Sequence, residues 1–173
     1  MPTLPERLLL LSLDDDGQPR DPRSALSYAL AGAAIAELLL AGRLAHRDDR
    51  LQVASPTPTG DPVLDEVLGQ VEAEPKPRKL SWWVSRLGGG GWRRPAVRNH
   101  LIDHLTSTGV LTKGQERVLG LFPVTRHPPA EPTADDQARA AIRAVLVGGR
   151  EPDEATAALV ALVEASGLVD ACV

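Results

Sequence analysis

Apolar positions run almost unbroken from Leu4 to Leu13 and stop at "DDDGQPRDP". The pattern predicts a short apolar helix over residues 4–13, ended by a turn. Residues 24–42, "SALSYALAGAAIAELLLAG", form the longest apolar stretch, opened by Ser24 as a cap and closed by Gly42. A membrane span wants about 20 strongly apolar residues. This stretch leans on Ala and Gly and carries Glu37, so it reads as the buried central helix of a folded domain. "RLAHRDDRLQVAS" alternates about Asp48 and Asp49 and predicts a small hairpin. In "TPTGDPVLDEVLGQVEAEP", Asp61 caps a helix with Pro62 at its first position and Val63, Val67 and Val71 on one face.

Beyond an extended connector, "EPKPRK", the stretch "KLSWWVSRL" predicts a helix and "GGGG" a loop. A second helix follows over "RRPAVRNHLIDHLTSTG", with Val97, Leu101 and Leu105 inward and Gly109 at its end. Short strands are expected around "KG" (113–114), then a hairpin or arm over "GLFPVTRHPP". Two closing helices are expected, the first with a Thr133/Asp136 capping box. The sum is a mainly α chain: one compact helical domain over residues 1–173, built around a buried central helix and carrying small β-hairpins.

Composition adds compartment and charge. A chain of 173 residues buries roughly 70% of its unfolded surface without disulfides. Cys172 stands alone, which suits a reducing, cytoplasmic setting. The N-terminus lacks the basic segment of a secretory signal, and Glu6 interrupts it. Net charge is −4, but it is unevenly spread: seven of the 19 Lys and Arg residues, and none of the 23 Asp and Glu, lie between Pro75 and Ile102. A local positive field on an acidic protein predicts one anionic partner rather than general affinity for nucleic acid.

Candidate chemistry is sparse. The glycine run is followed by no Gly-Lys-Ser/Thr, so it is no Walker loop, though it places backbone N–H groups before a helix N-terminus. His100 and His104 share a helix face, but Leu101 stands where a zinc hydrolase needs its Glu, and nothing in the spacing brings in His127. "DDDGQPRDP" is no EF-hand either, because Ala25 sits where a loop of about 12 residues ends in Glu. No serine is framed as a nucleophile, and Cys172 is the next-to-last residue. No catalytic residue, metal or cofactor is therefore expected. Adjacent Trp82 and Trp83 point about 100° apart on a helix, so one faces inward and the other joins Trp92 toward solvent. Trp92, Arg93, Arg94 and Arg98 are the expected anion-binding residues. Arg94 and Arg98 are one turn apart and can reach one phosphate.

"LLLLSLDDDG", "LAGAAIAELLLAGRL", "TPTGDPVLDEVL" and "RNHLIDHLTSTGVL" followed by "TRHP" together resemble the Golgi phosphoprotein 3 family, in its bacterial branch, from Leu4 to Ala171. The resemblance implies a mainly helical fold with a projecting β-hairpin for self-association. It also implies a peripheral membrane protein whose basic pocket holds the headgroup of phosphatidylinositol 4-phosphate; eukaryotic members also hold glycosyltransferase tails. Of four pocket positions, the tryptophan aligns with Pro22, one arginine with Ala31 and another with Pro95, while Arg98 is retained; Arg23 beside Pro22, and Arg93 and Arg94 beside Pro95, are the substitutes that the resemblance offers. The family continues past Val173, so this chain is expected to lack its C-terminal helices. The expectation is cytoplasmic, peripheral attachment to anionic lipid headgroups, with self-association through residues 119–128. One alternative is a winged-helix-like DNA-binding regulator, suggested by the helix-then-hairpin order but opposed by the overall acidity. The other is a non-catalytic protein-interaction adaptor.

Overall fold

The computed structural model describes residues 2–14, 16–18, 25–89, 96–118, 122–126, 128, 133–149 and 151–169. Among them are α1 (Leu4–Ser12), α2 (Leu26–Leu40), β1 (Leu44–Arg47), β2 (Arg50–Val53), α3 (Pro62–Glu72) and β3 (Arg78–Lys79). The chain continues through α4 (Leu80–Gly89), α5 (Val97–Ser107), β4 (Gly114–Val118), β5 (Phe122–Arg126), α6 (Thr133–Leu146) and α7 (Glu154–Ser166). The mainly α expectation holds, and the strands are confined to small antiparallel sheets.

The sequence of α2 is apolar on nearly every side, so most of its surface must be buried. It packs against α1, α3, α4, α5, α7 and β1, and Leu30, Ala31, Ala33, Ala34 and Leu38 are wholly buried. Small side chains let neighbours approach closely: a Cβ on Gly32 would stand 3.4 Å from Leu162 of α7. The single charge of α2 is also used. Glu37 Oε2 accepts the Leu4 N–H at 2.7 Å, placing a carboxylate at the positive end of α1. No described helix is long and apolar enough to cross a membrane.

Local signals produce the remaining elements. Thr3 precedes α1, and Glu6 reaches back to its N–H at 2.7 Å, half of a capping box. Asp61 Oδ1 accepts from Val63 and Leu64 N–H at the start of α3, and Val63, Val67 and Val71 are buried as their spacing demands. Asp14 closes the first turn through hydrogen bonds from Asp16 and Gln18 N–H, which is a turn and not a calcium loop. Gly42 and Gly109, with φ of +65° and +78°, take the left-handed conformation after α2 and α5 that favours glycine.

Four boundaries differ from the sequence pattern. The connector before α4 contributes a third strand, because Arg78 and Lys79 pair with Leu51 and Arg50. "KG" is not enclosed by strands: β4 begins at Gly114 and pairs with β5 from Gly114↔Arg126 to Val118↔Phe122. α2 takes Ala25 as its N-cap; Ser24 lies outside the described residues. The second helix starts at Val97 rather than at Arg93. The Thr133/Asp136 capping box falls on side chains outside the described set.

Candidate anion-binding site

The positive segment between Pro75 and Ile102 occupies α4, the approach to it, and the first turn of α5. Within α4, Trp83 and Leu87 point inward, and Trp83 is only 1% exposed. Trp82 is half-exposed and meets Trp83 edge to face, with centroids 4.9 Å apart, so the two indoles divide as expected. The guanidiniums of Arg78 and Arg86 each lie 5.1 Å from the Trp82 ring, within cation–π range.

The far end of α4 is fixed by a close backbone contact. A Cβ on Gly88 would sit 2.8 Å from the Ser27 carbonyl oxygen and the Tyr28 Cα, so only glycine lets α4 rest on the first turn of α2. The chain therefore enters α2 and leaves α4 at one place. In sequence, Arg23 is four residues before Ser27, and Trp92 is four after Gly88. Tyr28 stands at this junction 49% exposed, beside Gly89. Sequence reasoning missed it, because nothing in an apolar helix distinguishes its one solvent-facing aromatic residue.

Of the expected site residues, Arg98 is described and Trp92, Arg93, Arg94 and Arg23 are not. Arg98 is half-buried on the first turn of α5, next to the buried Val97, and forms no ion pair among the described residues. That turn has no acidic residue and no side-chain cap, so its N–H groups keep their positive field. Ala31, aligned with a pocket arginine of the resembled family, is wholly buried and offers no cation. Pro22 and Pro95 lie outside the described residues.

The two histidines of α5 part company. His104 Nε2 lies 3.7 Å from Glu6 Oε1, and His104, Glu6 and Asp61 present ligand atoms within 4.8 Å of one another. Each carboxylate already accepts backbone N–H groups at a helix start, so capping and ion pairing explain the cluster. His100 does not join it, and His127 lies outside the described residues. The solvent side of α5 carries Asn99 and Asp103, and a carboxylate on that face opposes attraction to the DNA phosphate backbone.

Comparison with known proteins bears on this arrangement. A family model described as Golgi phosphoprotein 3 matches residues 4–173. Vacuolar protein sorting-associated protein 74 of Eremothecium gossypii is 29% identical over 164 residues, 84% of this chain and 49% of that protein. The chain thus spans about half the length of this relative.

Proposed function

The chain belongs to the Golgi phosphoprotein 3 family, and from that membership we propose that it is a peripheral membrane protein that binds anionic lipid headgroups. The observation that carries this reading is the seating of Gly88 on Ser27 and Tyr28. It brings the C-terminal end of α4 against the first turn of α2. Trp92, Arg93, Arg94 and Arg98, with Arg23, supply the cations and one indole, and the exposed Tyr28 adds a second aromatic ring. Aromatic side chains at headgroup depth beside guanidiniums on phosphate are the usual chemistry of such contacts.

Phosphatidylinositol 4-phosphate is the headgroup that family resemblance implies, and placement on a bacterial branch of the family belongs to the same proposal. With Pro22, Ala31 and Pro95 at three of four pocket positions, recognition rests on Arg98 and the neighbouring Arg93 and Arg94. The reading assigns no reaction to the protein.

Each basic residue near an anionic bilayer contributes about 1 kcal/mol. Arg94→Gln/Arg98→Gln is therefore expected to weaken vesicle binding by about ten- to thirty-fold and to flatten its salt dependence. Trp92→Ala should weaken binding with little change in salt dependence, since its contribution is interfacial burial. An Arg94/Arg98 variant that binds like wild type, beside a Trp92 variant that loses only thermal stability, would make these residues ordinary surface and core.

A further inference from the structure

β2, β3 and the first turns of α4 enclose an open cleft of about 460 Å³ lined by Arg50, Arg78, Lys79, Ser81, Trp82 and Ser85. The volume lies in the range of small-molecule sites. Three cations, two hydroxyls and an indole line it, and no carboxylate does. Arg50 and Lys79 are direct cross-strand partners, and like charges placed opposite each other destabilise a strand pair. Their local relief is partial. Arg50 Nη1 donates to the Pro77 carbonyl at 2.7 Å, and Arg50 forms no ion pair among the described residues. Lys79 Nζ lies 3.5 Å from Asp49, with both side chains 63% exposed, a contact worth little in water.

Arg78 is held by Glu74 at 2.8 Å and so stands fixed beside Trp82. Trp82 and Arg86 are one helical turn apart on α4, and Arg78, on β3, lies against the same ring. Ser81 and Ser85, also one turn apart, make no hydrogen bond among the described residues. The cleft thus combines a pair of only partly compensated positive charges with two hydroxyl donors and an indole.

We propose that this cleft binds a phosphate monoester. Such a group carries a charge of about −1.5 to −2 at neutral pH, which matches the opposed Arg50 and Lys79. Its oxygens accept charge-assisted hydrogen bonds from both cations and from the serine hydroxyls. Trp82 faces the carbon skeleton that bears the phosphate. The cleft lies at the opposite end of α4 from the Gly88 junction, and this inference does not rest on the lipid reading given for that junction.

Glycerol 3-phosphate in solution and phosphatidic acid in phosphatidylcholine vesicles present the same group in soluble and lipid form. Both are titrated against wild type, Arg50→Gln/Lys79→Gln, the junction variant Arg94→Gln/Arg98→Gln, and a control of equal charge loss away from the cleft, Arg7→Gln/Lys113→Gln. The expected result is a loss of about ten- to thirty-fold in glycerol 3-phosphate affinity in the cleft variant only. Parallel loss of phosphatidic-acid binding identifies a lipid source; unchanged vesicle binding identifies a soluble phosphate ester. Absence of glycerol 3-phosphate binding by wild type, or equal losses in the cleft variant and the control, overturns the proposal. Lys79→Gln alone, at an exposed position, gives the same test if the double variant melts early, and its expected loss is smaller but of the same pattern.

Discussion

Asp65 shows how one side chain can organise a loop. Its Oδ1 accepts the Thr59 N–H at 2.6 Å and the Thr59 hydroxyl at 2.7 Å, and Oδ2 accepts the Gly60 N–H at 3.2 Å. Burial pushes its carboxyl up, but these hydrogen bonds, helped by the charge of Arg43, hold it below the ordinary value of 3.8. A folded-state value below the unfolded one means that the ion contributes stability above the unfolded value. That contribution is lost as pH falls through the folded value. Asp65→Asn should therefore cost about 1–3 kcal/mol at pH 7, and the gap to wild type should close on going below about pH 4. Urea unfolding of both proteins at pH 7 and pH 3 checks this; an equal gap at both pH values contradicts it. Glu37 works over a longer range, from α2 onto the start of α1. Glu37→Ala removes a hydrogen bond to a charged group and should lower stability by about 1.5–3 kcal/mol in the same assay.

At the scale of elements, the junction of α4 with α2 is the contact on which the functional reading depends. Gly88→Ala would push a methyl into the Ser27 carbonyl, a backbone atom that cannot swing aside. Overpacking of this kind costs about 1–3 kcal/mol. The variant should melt lower and also lose vesicle binding, whereas Gly89→Ala, whose nearest neighbour is the Tyr28 phenol oxygen at 3.8 Å, should do neither. Thermal melts of the two variants decide the point; equal Tm values for Gly88→Ala and wild type would remove the junction from the account. Much of this level was legible in the sequence. Asp61 and Pro62 announce α3, Val97, Leu101 and Leu105 mark the inner side of α5, and adjacent tryptophans must diverge on a helix. The rest depended on partners distant in the chain. Nothing local to Arg78 and Lys79 reveals that they complete a sheet with Leu51 and Arg50. The Trp82 cleft stayed hidden because the sheet supplies half its walls. Glu6, His104 and Asp61 meet only once α1, α3 and α5 have packed.

For the whole molecule, two properties follow: one of association and one of location. β4 and β5 pair with each other and pack substantially against no other described element. At their base, Thr112 holds the Pro128 carbonyl through its N–H and hydroxyl. An isolated two-stranded hairpin is marginal in water, so residues 119–128 are proposed to dock on a second copy of the chain. Deleting 119–128 should convert an oligomer to monomer in sedimentation velocity; a monomeric wild type at high concentration, or an unchanged mass after deletion, contradicts this. Location is tested most directly by co-sedimentation of the wild-type protein with vesicles of phosphatidylcholine alone, of phosphatidylcholine with phosphatidylserine, and of phosphatidylcholine with phosphatidylinositol 4-phosphate. The account predicts that the protein pellets with both anionic compositions, stays in solution with the neutral one, and is released by salt. Equal partitioning among the three, or no pelleting with any, would contradict it.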